Sequence, residues 1–170
     1  VRLRKKTAGA AITALSLPET LDSLLQRLRT RMPGWEIIEE YQSREEILAD
    51  PDMFERIMIN LLENVLRHAA AGKQLVLRTC PAQDSSNAEI ALMVGDRGSS
   101  FPVPIESDRL DLLNNSLPYS PERGGSGTGL FLVRQIMQTH GGQLYASRRE
   151  DGGIWMVTTW RIADEQNSGN

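Results

Sequence analysis

The sequence predicts a two-layer α/β (α+β) sandwich, in which three helices pack on one face of a mixed sheet of about five strands. The elements along the 170 residues follow the order helix, strand, helix, strand, strand, long loop, helix, strand, strand. Neighbouring strands are joined by turn-rich stretches and are typical of hairpins, which argues against a doubly wound parallel sheet. A hydrophobic fraction of 40% at this length is typical of one soluble domain with its own core.

Three stretches have helical periodicity. Residues 17–31 place leucines on one face and carry a proline in the first turn. The strongest signal follows Asp50, an N-cap residue, and Pro51, which suits the first helical position; Gly72 suits the end of this helix. A third helix is predicted over residues 129–140, where two glycines after His140 stop it.

The strands are predicted from apolar, β-prone runs bounded by turn residues. They read "WEIIEEY", "QLVLRTC", "AEIALMVGD", "QLYASRRE" and "IWMVTTWRI". Residues 97–126 are irregular and too long for a simple connection, which is typical of a functional or disordered loop. We therefore divide the chain into a basic N-terminal segment and linker end at 1–16, a domain at 17–162 and a disordered polar tail at 163–170.

Charge and composition narrow the classes of function. A net charge of -3 argues against nucleic-acid binding, and the basic cluster at Arg2, Arg4, Lys5 and Lys6 is typical of a solvated chain end. Cys80 has no second cysteine to pair with, which favours a reducing compartment and a role as a small buried hydrophobe. No apolar stretch reaches the ~20 residues that span a bilayer, and no signal peptide is visible. We expect a soluble, cytoplasmic piece of a longer protein.

The helix after Asp50 carries polar residues beside its apolar arc. Asn60, Asn64 and Arg67 fall together on one flank, at i, i+4 and i+7. Asparagine is a mediocre helix former, but its amide oxygen is a hard, neutral ligand suited to Mg²⁺. A guanidinium on the same flank can hold a phosphate. The alternative is a pair of solvated asparagines at a boundary.

The strand "AEIALMVGD" ends in a carboxylate that is followed by a glycine. Asp96 can accept a hydrogen bond from an exocyclic amine, and Gly98 allows a flat ring to approach the backbone. The alternative is an ordinary turn at the end of a strand, because Asp and Gly are common turn residues.

The stretch "GGSGTGLFLV" places several glycines directly before the third helix. No Gly-Lys-Ser/Thr follows, as a Walker loop requires, and the spacing does not fit a dinucleotide-binding fingerprint. Glycines at a helix start leave backbone N–H groups free to face an anion, which the helix dipole also favours. The alternative is a flexible hinge.

Together, three segments resemble the motifs of one known family. "NLLENVLRHA" resembles the N box, "DRGSSFP" the first glycine box and "GSGTGLFLV…HGG" the second glycine box of the ATP-binding catalytic domain of bacterial sensor histidine kinases. This domain belongs to the superfamily shared with gyrase-type ATPases. The likeness covers roughly residues 17–162, with the motifs in the family's order.

The resemblance implies a role for each matching residue. Asn60 and Asn64 would hold Mg²⁺ and act in catalysis with Arg67, which would contact phosphate. Asp96 would bind the adenine amino group, and Gly98 would line the base pocket. Residues 99–126 would form a lid over ATP. The remaining nucleotide-binding positions implied by the resemblance are Ser100, Gly125, Gly127, Thr128, Gly129 and Leu130.

The resemblance also implies partners. The phosphoryl group of ATP would pass to a histidine on a helical dimerisation domain of the same parent protein, and then to a response-regulator receiver domain. The isolated domain would be monomeric and would not bind nucleic acid. His68 and His140 lack the flanking acidic residue and the two-helix context of the family's acceptor, so we expect structural roles for both.

One position separates the branches of the superfamily. The hydrolysing members and the anti-sigma serine kinases are similar in having a glutamate four residues before the magnesium-binding asparagine. This chain has Asn60 at that position. An amide cannot act as a general base, which favours transfer to an already nucleophilic imidazole. Glu63 lies about 100° away around the helix and is a poor substitute.

The sequence departs from the family pattern at two positions. Ser100 and Phe131 each stand where the family usually has glycine, and the phenylalanine motif of many histidine-kinase lids is not evident between residues 105 and 122. These departures leave two alternatives open. One is a degenerate adaptor that binds nucleotide weakly and serves for docking. The other is a serine kinase of the anti-sigma type.

Overall fold

The computed structural model of the protein describes residues 11–82, 88–98, 105, 108–114 and 128–164. The basic cluster at the start and residues 165–170 of the predicted tail lie outside these ranges. The helices are α1 (Leu17–Leu28), α2 (Pro51–His68) and α3 (Thr128–His140), with a short 3₁₀ helix at Arg29–Arg31 after α1. The strands are β1 (Thr13–Leu15), β2 (Glu36–Tyr41), β3 (Ile47–Ala49), β4 (Gln74–Pro81), β5 (Glu89–Asp96), β6 (Leu110–Asp111), β7 (Leu144–Arg148) and β8 (Ile154–Arg161).

The main sheet confirms the predicted two-layer sandwich. Its strand order is β2-β4-β5-β8-β7-β6, so the described residues form six strands here where about five are predicted. Among the described strands, only β2 and β4 pair in parallel. The predicted hairpins β4–β5 and β7–β8 are antiparallel. Strand β6 lies within the segment that was predicted to be irregular. The sequence does not reveal this strand, because two residues are too few to show a period.

The main core lies between the three helices and one face of the sheet. The whole predicted apolar arc of α2 is buried, namely Phe54, Ile57, Met58, Leu61, Leu62, Val65 and, just after the helix, Ala69. Trp160 of β8 meets Phe54 edge-on, with 5.2 Å between ring centroids. Burial of this arc holds the flank of α2 that carries the asparagines in a fixed orientation relative to the sheet.

A smaller apolar cluster lies on the other face of the sheet. It contains Val76, Ala91, Trp155 and Val157, all buried. Cys80 packs against this cluster, and its sulfur lies 3.9 Å from that of Met93. Burial raises the pKa of the Cys80 thiol, which agrees with its predicted role as a small hydrophobe.

The start of α2 and the end of α3 are joined by hydrogen bonds. The Asp50 carboxylate caps α2 by accepting from the N–H groups of Asp52 (2.9 Å) and Met53 (3.2 Å). The Asp50 N–H donates to Nε2 of His140 (3.1 Å), and Nδ1 of that ring lies 2.9 Å from the Ile136 carbonyl oxygen. The His140 ring therefore acts as a structural bridge between the start of α2 and the end of α3.

Residues 11–16, which precede the predicted domain boundary at residue 17, pair with other parts of the domain. Strand β1 pairs with β3, and the N–H of Ala11 donates to the Asp50 carboxylate (2.8 Å). Ala163, from the predicted tail, donates its N–H to the Glu46 carbonyl (2.8 Å). Such short strands depend on partners distant in sequence, so local periodicity does not reveal them.

Among the described helices, none combines the length and apolar character needed to cross a membrane.

Candidate nucleotide site

The middle of α2 meets the start of α3. Nδ2 of Asn60 donates to the Arg56 carbonyl (2.7 Å), which fixes the amide and orients it. A Cβ atom added to Gly129 would lie only 3.0 Å from Asn60 Oδ1, so this oxygen faces the first turn of α3. The structure therefore brings together two of the predicted site residues, and glycine at 129 permits their close approach.

The first turn of α3 presents backbone donors beside this amide. The helix begins at Thr128, and the N–H groups of a first helical turn have no acceptor within the helix. They carry the positive end of the helix dipole, which favours an anion. The Leu130 side chain packs against the main core, so its contribution to a site would come from its backbone. Phe131 is 51% exposed.

The other predicted residues of α2 lie further along the helix. Asn64 is half-buried one turn after Asn60, and Arg67 and His68 are exposed in the last turn. Glu63 lies toward the 3₁₀ helix, where its Oε1 is 3.5 Å from Nη1 of Arg31. This pairing agrees with the prediction that Glu63 is a poor substitute for a catalytic base.

Asp96 ends β5 and is 7% exposed, which is rare for a carboxylate. The N–H of Ile154 donates to its Oδ1 (3.4 Å). A buried carboxylate with a fixed orientation can accept from an amine and discriminate against ligands that lack one. The ordinary-turn alternative does not require this burial.

The turn after Asp96 packs tightly against two other segments. A Cβ on Gly72, after the end of α2, would lie 2.1 Å from the Arg97 carbonyl oxygen. A Cβ on Gly153, in the β7–β8 turn, would lie 2.1 Å from the Asp96 carbonyl oxygen. Gly98 has φ +86, a left-handed conformation that favours glycine. Thus α2 contacts the first turn of α3 at Asn60, and the segment just after α2 contacts the Asp96 turn.

Arg149 also contacts the site, although it belongs to none of the three motifs and was not predicted from the sequence. Its guanidinium donates to the Asp96 carbonyl (2.7 Å) from the β7–β8 turn. The contact joins residues 53 positions apart, so no local signal in the sequence could reveal it. The predicted residues Ser100, Gly125 and Gly127, and with them most of the predicted lid, lie outside the described residues.

Residues 49–164 match the family of histidine kinase-, DNA gyrase B- and HSP90-like ATPases, and the chain belongs to this family. It is 31% identical over 121 residues to the sensor protein FixL of Bradyrhizobium diazoefficiens, an alignment that covers 70% of this chain and 22% of FixL. The chain thus spans about a fifth of the length of this curated relative. The resemblance drawn from the three motifs is confirmed.

Two solved structures show the same fold. The catalytic domain of the histidine kinase ThkA, in a nucleotide-free form, has a TM-score of 0.69 at 20% identity, over 89% of this chain and 95% of ThkA's. Full-length ShkA in complex with AMPPNP has a TM-score of 0.68 at 20% identity, over 90% of this chain and 32% of ShkA's.

Proposed function

We propose that this chain is the ATP-binding catalytic domain of a two-component sensor histidine kinase. It donates the γ-phosphoryl group of ATP to a histidine on a separate helical dimerisation domain of the parent protein. A receiver domain of a response regulator then accepts the group in the cytoplasm. The observation that carries this proposal is the position of α2, which contacts the first turn of α3 while the segment after it contacts the Asp96 turn.

The nucleotide lies along α2 in this proposal. From Asn60 to the end of α2 the helix extends about 12 Å. The base binds at Asp96 and Gly98, and the phosphates bind at the first turn of α3 and Arg67. Two features support this orientation: a buried carboxylate at one end, and an amide with free helical N–H groups at the other.

The side chains of α2 fit a magnesium ion that carries phosphates. The bond from Asn60 Nδ2 to the Arg56 carbonyl leaves the amide oxygen, a hard ligand, directed at the start of α3. Asn60 and Asn64 would hold Mg²⁺, which neutralises phosphate charge. The other steps fall to the chain's own groups, since Arg67 and the N–H groups of residues 127–130 orient the γ-phosphoryl group for in-line transfer.

The absence of a carboxylate at position 60 favours transfer over hydrolysis. Water needs a general base to attack, whereas a neutral imidazole is already nucleophilic. Glu63, the nearest carboxylate in the N-box sequence, pairs with Arg31 on another side of α2. The phosphoryl group of ATP therefore remains available for a histidine acceptor.

Radiolabelled ATP tests this function. The chain is mixed with the dimerisation domain of its parent protein and [γ-³²P]ATP, and the label on that domain is treated with acid or base. We expect label that acid removes and base does not, as for phosphohistidine, and no label with Asn64→Ala. Glu63→Gln is the matched control on the same helix and should label normally.

Two outcomes would contradict the proposal. Acid-stable label on a serine of a partner protein would indicate a kinase of the anti-sigma type. Neither label nor nucleotide binding would indicate a docking adaptor, with Ser100 and Phe131 as the disabling departures.

A further inference from the structure

Arg149 is a buried arginine outside every motif that the family resemblance uses. Its side chain is only 8% exposed, at the turn between β7 and β8. A guanidinium is almost never buried to this degree unless its donors are satisfied, because removing its charge from water is costly. Its hydrogen bonds therefore indicate what the buried charge holds in place.

The donors of Arg149 reach three acceptors. Nη1 donates to the carbonyl oxygen of Asp96 (2.7 Å). Nη2 donates to Oε1 of Gln74 (3.1 Å) and to Oδ2 of Asp151 (2.8 Å). The guanidinium also lies over the ring of Trp155, 5.1 Å from its centroid. Asp151 is a local partner on the same turn, whereas the bond to Asp96 crosses to a different strand.

Gln74 makes the network rigid. This side chain is buried, and its amide nitrogen donates to Oε2 of Glu36 (2.8 Å) while its amide oxygen accepts from Arg149. Both ends of the amide are thus satisfied, which fixes its orientation. The guanidinium is in turn held between Gln74, Asp151 and the Trp155 ring.

The backbone of Asp96 is therefore fixed by Arg149, while its carboxylate is oriented by the N–H of Ile154. Gly153 packs against the same carbonyl oxygen, so the strand end has little room to move. Recognition of an amine needs a carboxylate held within a few tenths of an ångström of the productive position. Loss of the guanidinium would remove one of the contacts that hold the main chain carrying this carboxylate.

We propose that Arg149 is a positioning residue for base recognition, and this inference rests on the proposed binding of adenine nucleotide at Asp96. The guanidinium holds the Asp96 carbonyl so that the carboxylate can accept from the exocyclic amine of the base. It makes no contact with Asn60, Asn64 or Arg67 among the bonds described above. Its loss therefore affects selectivity for the base and leaves the phosphate contacts in place.

The test compares ADP with inosine diphosphate, which lacks the exocyclic amine. Affinities of both, with Mg²⁺, are measured by calorimetry for the wild-type chain, Arg149→Met and Arg149→Lys. Arg148→Met serves as the matched control, because Arg148 is the exposed neighbour at the end of β7. Urea unfolding of each variant without nucleotide reports its stability separately.

Arg149→Met should weaken ADP binding about tenfold and inosine diphosphate binding much less, so the preference for ADP falls. Arg149→Lys keeps the charge but not the planar fork, and should restore the preference in part. Arg148→Met should keep the wild-type preference.

Four results would overturn the inference. The first is that Arg149→Met folds and keeps the wild-type preference for ADP over inosine diphosphate. The second is that Arg149→Met folds but loses affinity for both nucleotides equally, as expected of a purely structural role. If Arg149→Met does not fold, a wild-type preference in Arg149→Lys overturns it instead. Failure of the wild-type chain to bind ADP would refute the proposed function and this inference with it, which distinguishes the two failures.

Discussion

Replacing Gly129 with alanine tests the contact between α2 and α3 directly. The new Cβ would lie 3.0 Å from Asn60 Oδ1, closer than an ordinary van der Waals contact. The amide oxygen must therefore move by about 0.4 Å or more. Mg²⁺ holds its ligands at about 2.0–2.1 Å in nearly ideal octahedral geometry, so it tolerates such a displacement poorly.

The same substitution has an opposite effect on the helix. Alanine is favoured over glycine in a helix by up to about 1 kcal/mol, which offsets the cost of moving one side chain. We expect the free energy of unfolding to stay level or rise. The affinity for ADP in the presence of Mg²⁺ should fall about tenfold, equivalent to roughly 1.4 kcal/mol.

Calorimetric titrations with ADP, with and without Mg²⁺, measure the affinity, and urea unfolding measures the stability. A double-mutant cycle supplies the control: in an Asn60→Ala background no amide opposes the new methyl group, so Gly129→Ala should stabilise the chain more than it does in the wild type. Wild-type affinity for Mg-ADP in Gly129→Ala would show that the Asn60 amide oxygen does not act at the nucleotide, and would refute the reasoning.

Three further predictions concern stability and side-chain roles. The hydrogen bond from the Met53 N–H, followed by those from other donors, lowers the pKa of the Asp50 carboxyl from its usual 3.8. Ionised Asp50 therefore stabilises the folded chain fully above about pH 4, and this stabilisation is lost as the pH falls through the lowered pKa. Asp50→Asn keeps a cap without the charge and should be about 0.3–1 kcal/mol less stable at pH 7, with the difference vanishing in acid urea titrations. Glu63→Gln breaks only an exposed pair with Arg31 and should change stability by less than about 1 kcal/mol and leave ADP affinity unchanged; a large loss of affinity would place Glu63 at the site. Phe131→Ala should change the free energy of unfolding by no more than about 0.5 kcal/mol, because this side chain is half exposed. A larger loss of stability in urea unfolding would contradict this prediction.

Local signals predicted the elements that position the site. Asp50 and Pro51 predicted the start of α2, and in the structure Asp50 caps this helix by accepting from the Asp52 and Met53 N–H groups. The apolar arc of the same helix is buried as its period requires. Such features depend on residues within one or two helical turns of each other, so a single sequence considered alone is enough to predict them.

Features that depend on distant pairing could not be predicted in this way. Strand β1 pairs with β3 across more than 30 positions, and each strand has three residues. Arg149 looks like any surface arginine in "SRRE", and its role is evident only when Asp96 and Gln74 lie beside it. The sequence predicted that His140 is structural, but it did not reveal that its ring accepts from the Asp50 N–H.

The site itself was predicted from residue chemistry and the family resemblance together. Asn60 and Asp96 each had an ordinary alternative when considered alone. The structure places Asn60 against Gly129 and buries Asp96, while the roles of Asn60, Asn64, Arg67 and Asp96 in nucleotide binding all remain predictions. Which groups contact a nucleotide depends on the ligand, so only binding measurements test those roles.

Calorimetric binding of ADP with Mg²⁺ to this chain, beside Asn64→Ala and Asp96→Asn, tests the central claim most directly. We predict micromolar to sub-millimolar binding to the wild-type chain and its loss in both variants, with unfolding midpoints near that of the wild type. Absence of binding to the wild-type chain, or equal binding to all three, would contradict the claim that α2, α3 and the Asp96 turn form a nucleotide site.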